Sequence, residues 1–447
     1  MAAARTPHIL LVNPWIHDFA AYDFWASPMG LLLLAAQLRR CGLRVSYLDC
    51  LNRFHRLAPP QDPAARYGRG PYLKTEIPKP PGLAHVPRRF SRYGIRPEWL
   101  AADLRARPHP DFILVTSLMT YWYPGVTETI AALRAVFPDT PVILGGIYAT
   151  LCRDHAIRCS GADDVVSGTD FCLTLRAVGD IIGTRLDQHL TPTNPDTWPR
   201  PAFDLQPCIG FIPLLTTIGC PFDCAYCAAS YLHPRMLRRS PRSVIDEIIF
   251  WHRHHRVGDF VFYDDALLID AAAHARPIFE GIVQSGLTVR FHLPNAVHIR
   301  EIDAELARLM RRAGVTTVRL GLETTDFDHR KHLDRKVREG DFHRAVVCLK
   351  QAGFEKNQIG AYLLAGMPGQ SMTSVESGIR VVRQSGITPV LAYYTPIPHT
   401  AMWETAQKSS PYDLAADPIF TNNAIAPCRR EGFSWETYHR LKQLTAS

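Results

Sequence analysis

From His8 onward, short β-branched and apolar runs alternate with longer stretches of helical spacing. His8–Val12 reads as a buried strand, Pro28–Arg40 as a helix and Arg44–Leu48 as the next strand. Asp111–Ser117 and Pro141–Leu144 give two further strands, with a helix over Val126–Phe137 between them. Such alternation predicts a parallel sheet covered by helices. Asn52–Trp99 breaks the pattern with nine prolines and ten Lys/Arg against three acids. It reads as an irregular excursion over the surface of the first domain.

Thr191–Pro207 carries five prolines and neither helical nor strand periodicity, so residues 191–209 read as a linker. Beyond it the alternation resumes, with strands near Ile212–Thr217, Asp259–Tyr263, Thr288–His292, Thr316–Leu320, Gln358–Leu364 and Pro389–Tyr394. Helices fall between them, around Val244–His255, Ala271–Gln284, Ala304–Arg312, Phe342–Ala352 and Ser374–Gln384. Six strand–helix units suit a partial (β/α)6 barrel better than a closed eight-stranded one, and ligands of such sheets sit at the carboxyl ends of the strands. The expected organisation is an α/β protein with a Rossmann-like domain over 1–190, the linker, a partial barrel over 210–400 and a helical tail over 401–447.

Composition adds limits. The longest apolar run, Met29–Leu38, falls well short of the ~18 residues of a membrane span. The N-terminal MAAARTPHILLVNP lacks the apolar core of a signal peptide, so a cytoplasmic protein is expected. Fifty Lys/Arg against forty-two acids give a net charge of +8, spread along the chain, which permits an acidic substrate but makes no case for nucleic acid. Eleven cysteines suit metal ligation or core thiols better than a disulfide framework.

Three of them stand together. Gly219-Cys220-Pro221-Phe222-Asp223-Cys224-Ala225-Tyr226-Cys227-Ala228 places a C-x3-C-x2-C triplet just beyond the first strand of the second domain. Three thiolates so close suit a soft centre, zinc or an iron–sulfur cluster. Zinc needs a fourth protein ligand, and His233 is the nearest in sequence. A four-iron cluster held by three cysteines keeps one iron open to a chelating ligand.

GCPFDCAYCA resembles the cluster motif of the radical S-adenosylmethionine (SAM) enzymes. The resemblance implies that Cys220, Cys224 and Cys227 hold a [4Fe-4S] cluster, whose open iron takes the amino and carboxylate groups of SAM. One electron, from a flavodoxin- or ferredoxin-type reductant, then yields a 5′-deoxyadenosyl radical. It also implies that Tyr226 and Phe222 lie against SAM. FYDDALLID resembles the segment that meets the SAM amino group, through Asp264 and Asp265. RLGLETTD resembles the strand end that points Glu323 at SAM, and GAYLLAGMPGQ the strand that passes Gly366 under the adenine. Taken alone, Asp264 and Asp265 also read as solvated carboxylates and Gly366–Gly369 as a turn.

HILLVNP, PMGLLLLAAQLRRCGLRVSYLDC, PDFILVTSLMT and PVILGGIYAT resemble the cobalamin-binding domain found ahead of many radical SAM domains. That likeness implies a corrin over Gly145 and Gly146, where glycine allows close backbone approach. Ser117 and Thr120 would bond the nucleotide tail, and Trp15, Tyr121, Trp122 and Tyr123 would wall the corrin. The Asp-x-His-x-x-Gly cobalt-ligand pattern is missing; His17-Asp18 occupies the corresponding loop. Gly168-Thr169-Asp170 stands where relatives read Gly-Glu. The function this implies is cobalamin-dependent methyl transfer to an unactivated carbon or phosphorus of a small molecule or peptide. Ring formation, rearrangement or a first domain without cobalamin are alternatives, with a methylthiotransferase or a zinc-stabilised binding protein behind them. No acid, base or radical-quenching residue is assigned, and Cys428 in the tail reads as such a thiol or as a structural one.

Overall fold

The computed structural model describes residues 6–429 and 434–446. The chain divides into two compact units. One holds the residues up to Gly210 together with Ala415–Thr421; the other holds Phe211–Leu414 and the described residues from Asn422 on. The tail segment 430–433 lies outside the described residues.

The first unit begins with β1 (His8–Asn13), β2 (Ile16–Asp18), β3 (Arg44–Asp49), β4 (Lys74–Glu76) and β5 (Ser91–Tyr93). β6 (Phe112–Val115), β7 (Val142–Leu144) and β8 (Asp164–Val165) follow. Five of these strands form a parallel sheet in the order β3-β1-β6-β7-β8. Ile9, Leu10, Leu11 and Val12 are fully buried at its centre, as a strand covered on both faces requires. Helix Met29–Arg40 sets Leu31–Leu34 and Leu38 into the core and ends on Arg39 and Arg40, where cations suit the helix dipole. Helix Phe171–Ile182 starts on Asp170, whose carboxylate accepts from the amides of Cys172 and Leu173, and stops at left-handed Gly183. The Asp of Gly168-Thr169-Asp170 is thus an N-cap.

The proline-rich excursion differs from expectation. It contributes β4 and β5, of which β5 pairs with both β2 and β4 in a small antiparallel sheet, and leads into helix Pro97–Arg105. Leu83 and Val86 are fully buried, and the buried Arg53 bonds Asp23, Gln61 and the Gly68 carbonyl. Strands of three residues carry too little alternation to show in a sequence, and a buried arginine is specified by a distant carboxylate. Residues of the expected linker pack on this unit: Ala202 N donates to Leu32 O at 2.9 Å and Arg39 meets Asp204 at 2.7 Å.

The second unit holds β9 (Ile212–Leu214), β10 (Thr217–Ile218), β11 (Leu237–Arg238) and β12 (Asp259–Phe262). β13 (Arg290–Val297), β14 (Val315–Glu323), β15 (Ile359–Ala365) and β16 (Thr388–Tyr393) complete it. Six strands run parallel in the order β9-β12-β13-β14-β15-β16, a partial barrel with helices in the crossovers. Its core is aromatic where β12 and β13 meet helix Ala275–Ser285: Phe260, Phe262, Phe279 and Phe291 pack with ring centroids 5.6–6.3 Å apart. β10 and β11 pair antiparallel just beyond β9. Register shifts interrupt β13 between Leu293 and Val297, and β14 between Gly321 and Glu323. Such irregularities re-aim side chains at the ends of strands. Among the described residues no helix is long and apolar enough to cross a membrane.

Candidate active site

The cysteine loop of the second unit is anchored by two carboxylates at the end of β12. Asp264 Oδ1 accepts from the Thr216 amide at 3.0 Å, from both threonine hydroxyls at 2.5 and 2.8 Å, and from the Thr217 amide. The Thr216 hydroxyl also takes a bond from His274 Nε2 at 2.8 Å. Burial lowers His274 to about 4, so the neutral ring supplies that proton. Asp265 Oδ2 accepts from Gly219 N at 3.1 Å. Gly219 has φ +79°, and a Cβ there would stand 2.9 Å from Arg235 O, so glycine is needed to turn the chain into the loop. Asp264 and Asp265 therefore brace residues 216–219. Burial raises Asp264 to about 6 against the pull of these donors, while its Oδ2 is buried without a partner.

Cys220, Cys224 and Cys227 are free thiols on this loop. Ala225 fixes its middle, donating to Leu333 O at 2.8 Å and accepting from Met402 N at 2.9 Å. The Ala229 amide donates to Cys227 Sγ at 3.4 Å, and His298 Nε2 stands 3.8 Å from Cys220 Sγ. Burial raises all three thiols, Cys224 to about 12, and the Lys336 ammonium pulls each of them down. Lys336 Nζ lies 3.2 Å from Glu323 Oε1 and 5.6 Å from the centre of the Tyr226 ring. Burial opposes its charge, but Glu323, Cys224 and Asp334 outweigh that cost and hold it above its ordinary value.

Glu323 ends β14 at φ +62°, a left-handed conformation that a glutamate adopts only when its surroundings impose it. Arg330 imposes it. Its guanidinium bonds the carbonyls of Leu322 and Thr324, on either side of Glu323, and Asp334 Oδ1 at 2.9 Å. Asp334 in turn accepts from Lys336 N at 3.0 Å. One short segment thus sets both the strained carboxylate and its cation. The Tyr226 hydroxyl is buried with no partner, and burial, then Glu323, pushes its phenol far above the ordinary value. Phe222 stacks on the His298 ring, centroids 5.1 Å apart and planes at 24°. Gly366 has φ +86°, and a Cβ there would fall 2.5 Å from the Tyr438 hydroxyl.

The donor set suits a soft polynuclear centre. No three His, Cys, Asp or Glu side chains among the described residues close on one point as a single ion requires. A multi-iron cluster instead takes one thiolate at each of several corners. The unpartnered Tyr226 hydroxyl, Asp264 Oδ2 and His298 Nδ1 leave buried polar atoms for a bound molecule to satisfy. A small cavity is lined by Asp264, Asp265, Asn295 and His298 with Phe262 and Leu293.

In the first unit, Gly145 and Gly146 follow β7. Gly146 has φ +98°, and a Cβ would lie 2.2 Å from Ser117 O, so the two strand-end loops touch through backbone. Ser117 Oγ donates to Gly145 O at 2.7 Å and accepts from Ala149 N at 3.3 Å. Thr120 bonds the Thr421 hydroxyl at 3.0 Å, and Tyr123 donates to Asp417 at 3.1 Å. Trp15 is 1 % exposed and gives its indole N–H to Ile95 O at 2.7 Å. Trp122 gives its own to Asp18, and Tyr121 is buried. His17 pairs with Glu128 at 2.6 Å. The apolar surface at these strand ends comes from Leu118 and Met119, 46 % and 42 % exposed.

Comparison with known proteins accounts for both strand-end regions. Residues 214–382 match the radical SAM superfamily, and residues 91–170 match the B12 binding domain. Residues 214–382 are thus a radical SAM domain and residues 91–170 a B12-binding domain. An uncharacterized methyltransferase of Pyrococcus horikoshii is 24 % identical over 325 residues, 66 % of this chain and 69 % of that protein. The anaerobic magnesium-protoporphyrin IX monomethyl ester cyclase of Cereibacter sphaeroides is 24 % identical over 343 residues, 69 % of this chain but only 55 % of the cyclase. Among solved structures, the radical SAM methyltransferase TsrM of Kitasatospora setae, with cobalamin and a [4Fe-4S] cluster bound, shares the fold. Its TM-score is 0.64 at 18 % identity, covering 91 % of this chain and 76 % of TsrM.

Within the radical SAM domain the structure brings the three cysteines, Tyr226 and Glu323 near Lys336, and Phe222 with His298 beside Cys220. Gly366 lies against Tyr438. In the B12-binding domain Gly145, Gly146 and Ser117 meet, whereas Trp15 lies in the core and Thr120 is tied to Thr421. Sequence reasoning missed Lys336 and Arg330, in the irregular segment after β14, and His298, which meets Cys220 from 78 residues away. It also missed Leu118-Met119, an apolar pair just past a buried strand, which is a legible signal.

Proposed function

We propose that the chain is a cobalamin-dependent radical SAM methyltransferase acting on an unactivated carbon or phosphorus. Cys220, Cys224 and Cys227 would hold a [4Fe-4S] cluster, and Leu118, Met119 and the Gly145-Gly146 turn would receive cobalamin. The observation that carries the reading is the loop of three free thiols, Cys224 buried and Cys220 and Cys227 half-buried, near one lysine just beyond the first barrel strand. When bound, the cluster supplies one-electron cleavage of SAM and cobalamin supplies methyl carriage. The protein's part is placement. Asp264 and Asp265 hold the loop's entry, Lys336 offsets thiolate charge, and Glu323 and the Tyr226 hydroxyl offer an acceptor and a donor to SAM. Burial of these groups keeps water from reactive species.

The electron would come from an external flavodoxin- or ferredoxin-type reductant, and the soft centre with its free thiols suits the reducing cytoplasm. The acceptor belongs to a small molecule or peptide. The named methyltransferase relative supports methyl transfer, and the cyclase relative supports ring formation as a second outcome on the same scaffold. Reconstituted protein incubated anaerobically with methyl-labelled SAM, reductant and cobalamin tests this. Label on protein-bound cobalamin together with 5′-deoxyadenosine is expected. Deoxyadenosine without labelled cobalamin would leave the radical chemistry and remove methyl transfer.

A further inference from the structure

His298 follows the register shift in β13, is 6 % exposed, and faces the cysteine loop with one ring edge. Its Nε2 stands 3.8 Å from Cys220 Sγ, within reach of a hydrogen bond to sulfur. The imidazole plane is fixed by Phe222, stacked at 5.1 Å and belonging to the same loop. Nδ1 is buried and has no partner. The ring is therefore held by two residues of the loop and bonded to the protein through Nε2 alone. A thiolate bound to iron can only accept, so with the loop loaded Nε2 must carry the proton of that bond.

We infer that His298 is a positioning residue of the centre held by the loop, donating Nε2–H to Cys220 Sγ and thereby raising that centre's reduction potential. The inference rests on the cluster assignment proposed above. A hydrogen bond to a coordinating sulfur withdraws electron density from it, so the reduced state, which carries the extra negative charge, gains most. Lys336 acts on all three thiols through charge; His298 acts on one, through a directed bond.

The test compares wild type, His298→Leu and His298→Gln after anaerobic reconstitution, with iron and sulfide measured per chain and the potential taken by redox titration followed by electron paramagnetic resonance. His298→Leu is expected at a lower potential than wild type, and His298→Gln, which keeps an N–H donor, nearer to wild type. Equal potentials for wild type and His298→Leu at equal iron content would overturn the inference. A second readout needs no leucine variant. Pulsed resonance on reduced wild type grown with 15N-histidine is expected to show a weak nitrogen coupling that His298→Gln lacks, and its absence from wild type would also overturn the inference. Wild type that takes up no iron would instead remove the cluster assignment.

Discussion

Asp264 and Ser117 occupy similar places, each just past the end of a parallel strand, yet their surroundings differ. Asp264 braces a loop through one oxygen and leaves the other buried without a partner. Ser117 both donates and accepts within its own domain. The contrast extends to their neighbours. The radical SAM domain buries an orphaned phenol, a strained glutamate and an ammonium near three thiols. The B12-binding domain spends its polar side chains on itself, touches loop to loop through glycine backbone and exposes Leu118 and Met119. The first site concentrates charge and thiols, whereas the second presents exposed apolar side chains beside glycine backbone. Recognition by shape needs no unsatisfied side chains, whereas chemistry does.

The contrast breaks most sharply at the thiols. Cys224→Ser should abolish iron and sulfide uptake while leaving the far-ultraviolet circular dichroism of the chain unchanged. Iron retained at the wild-type level would show that the loop is not the site.

Next in size is the buried ion pair. Lys336→Met takes the cation from the buried Glu323, and losing one partner of such a pair costs about 3–5 kcal/mol. Urea denaturation of the metal-free protein measures this, and Lys336→Met combined with Glu323→Gln should recover most of the loss. A single variant as stable as wild type would mean that the pair carries no structural weight.

A smaller effect separates the two regions by pH. Asp264 has its carboxyl raised to about 6 in the folded state, so the native protein binds more protons than the unfolded chain between about 4 and 6. Stability from this group therefore rises as pH falls through that window, by on the order of 2–3 kcal/mol. Glu128 behaves oppositely: burial raises it, but His17 and Arg92 outweigh burial and hold it at about 2. Its contribution is present above about 4.5 and is lost as pH falls toward 2. Asp264→Asn should flatten the first slope and Glu128→Gln the second in urea titrations of the metal-free protein. Unchanged slopes would contradict the assignment.

The smallest stability change belongs to the exposed pair. Leu118→Glu or Met119→Glu should alter unfolding free energy by no more than about 0.5 kcal/mol. Cobalamin retention, followed by absorbance after gel filtration, should nonetheless fall at least tenfold. Retention equal to wild type would place the corrin elsewhere.

How much of this the sequence carried divides along the same line. The two parallel sheets were legible because fully buried strands such as His8–Asn13 and Asp259–Phe262 are continuous apolar runs bounded by polar turns. The cysteine loop was legible because its ligands are local in sequence. Lys336, thirteen residues past Glu323, shows no spacing that marks it, and its place depends on Arg330 bending β14's end. Trp15 read as a corrin wall because aromatic residues at strand ends commonly face ligands; its N–H found Ile95 O, which no local pattern announces. The mini-sheet of β2, β5 and β4 was hidden by prolines that sit in its turns rather than its strands.

The central claim is that two different centres occupy the two domains. Anaerobic purification with cobalamin supplied, followed by iron, sulfide, zinc and cobalt analysis of one sample, tests it directly. The account predicts about four irons with matching sulfide, and about one cobalt, per chain. Zinc in place of iron would contradict it.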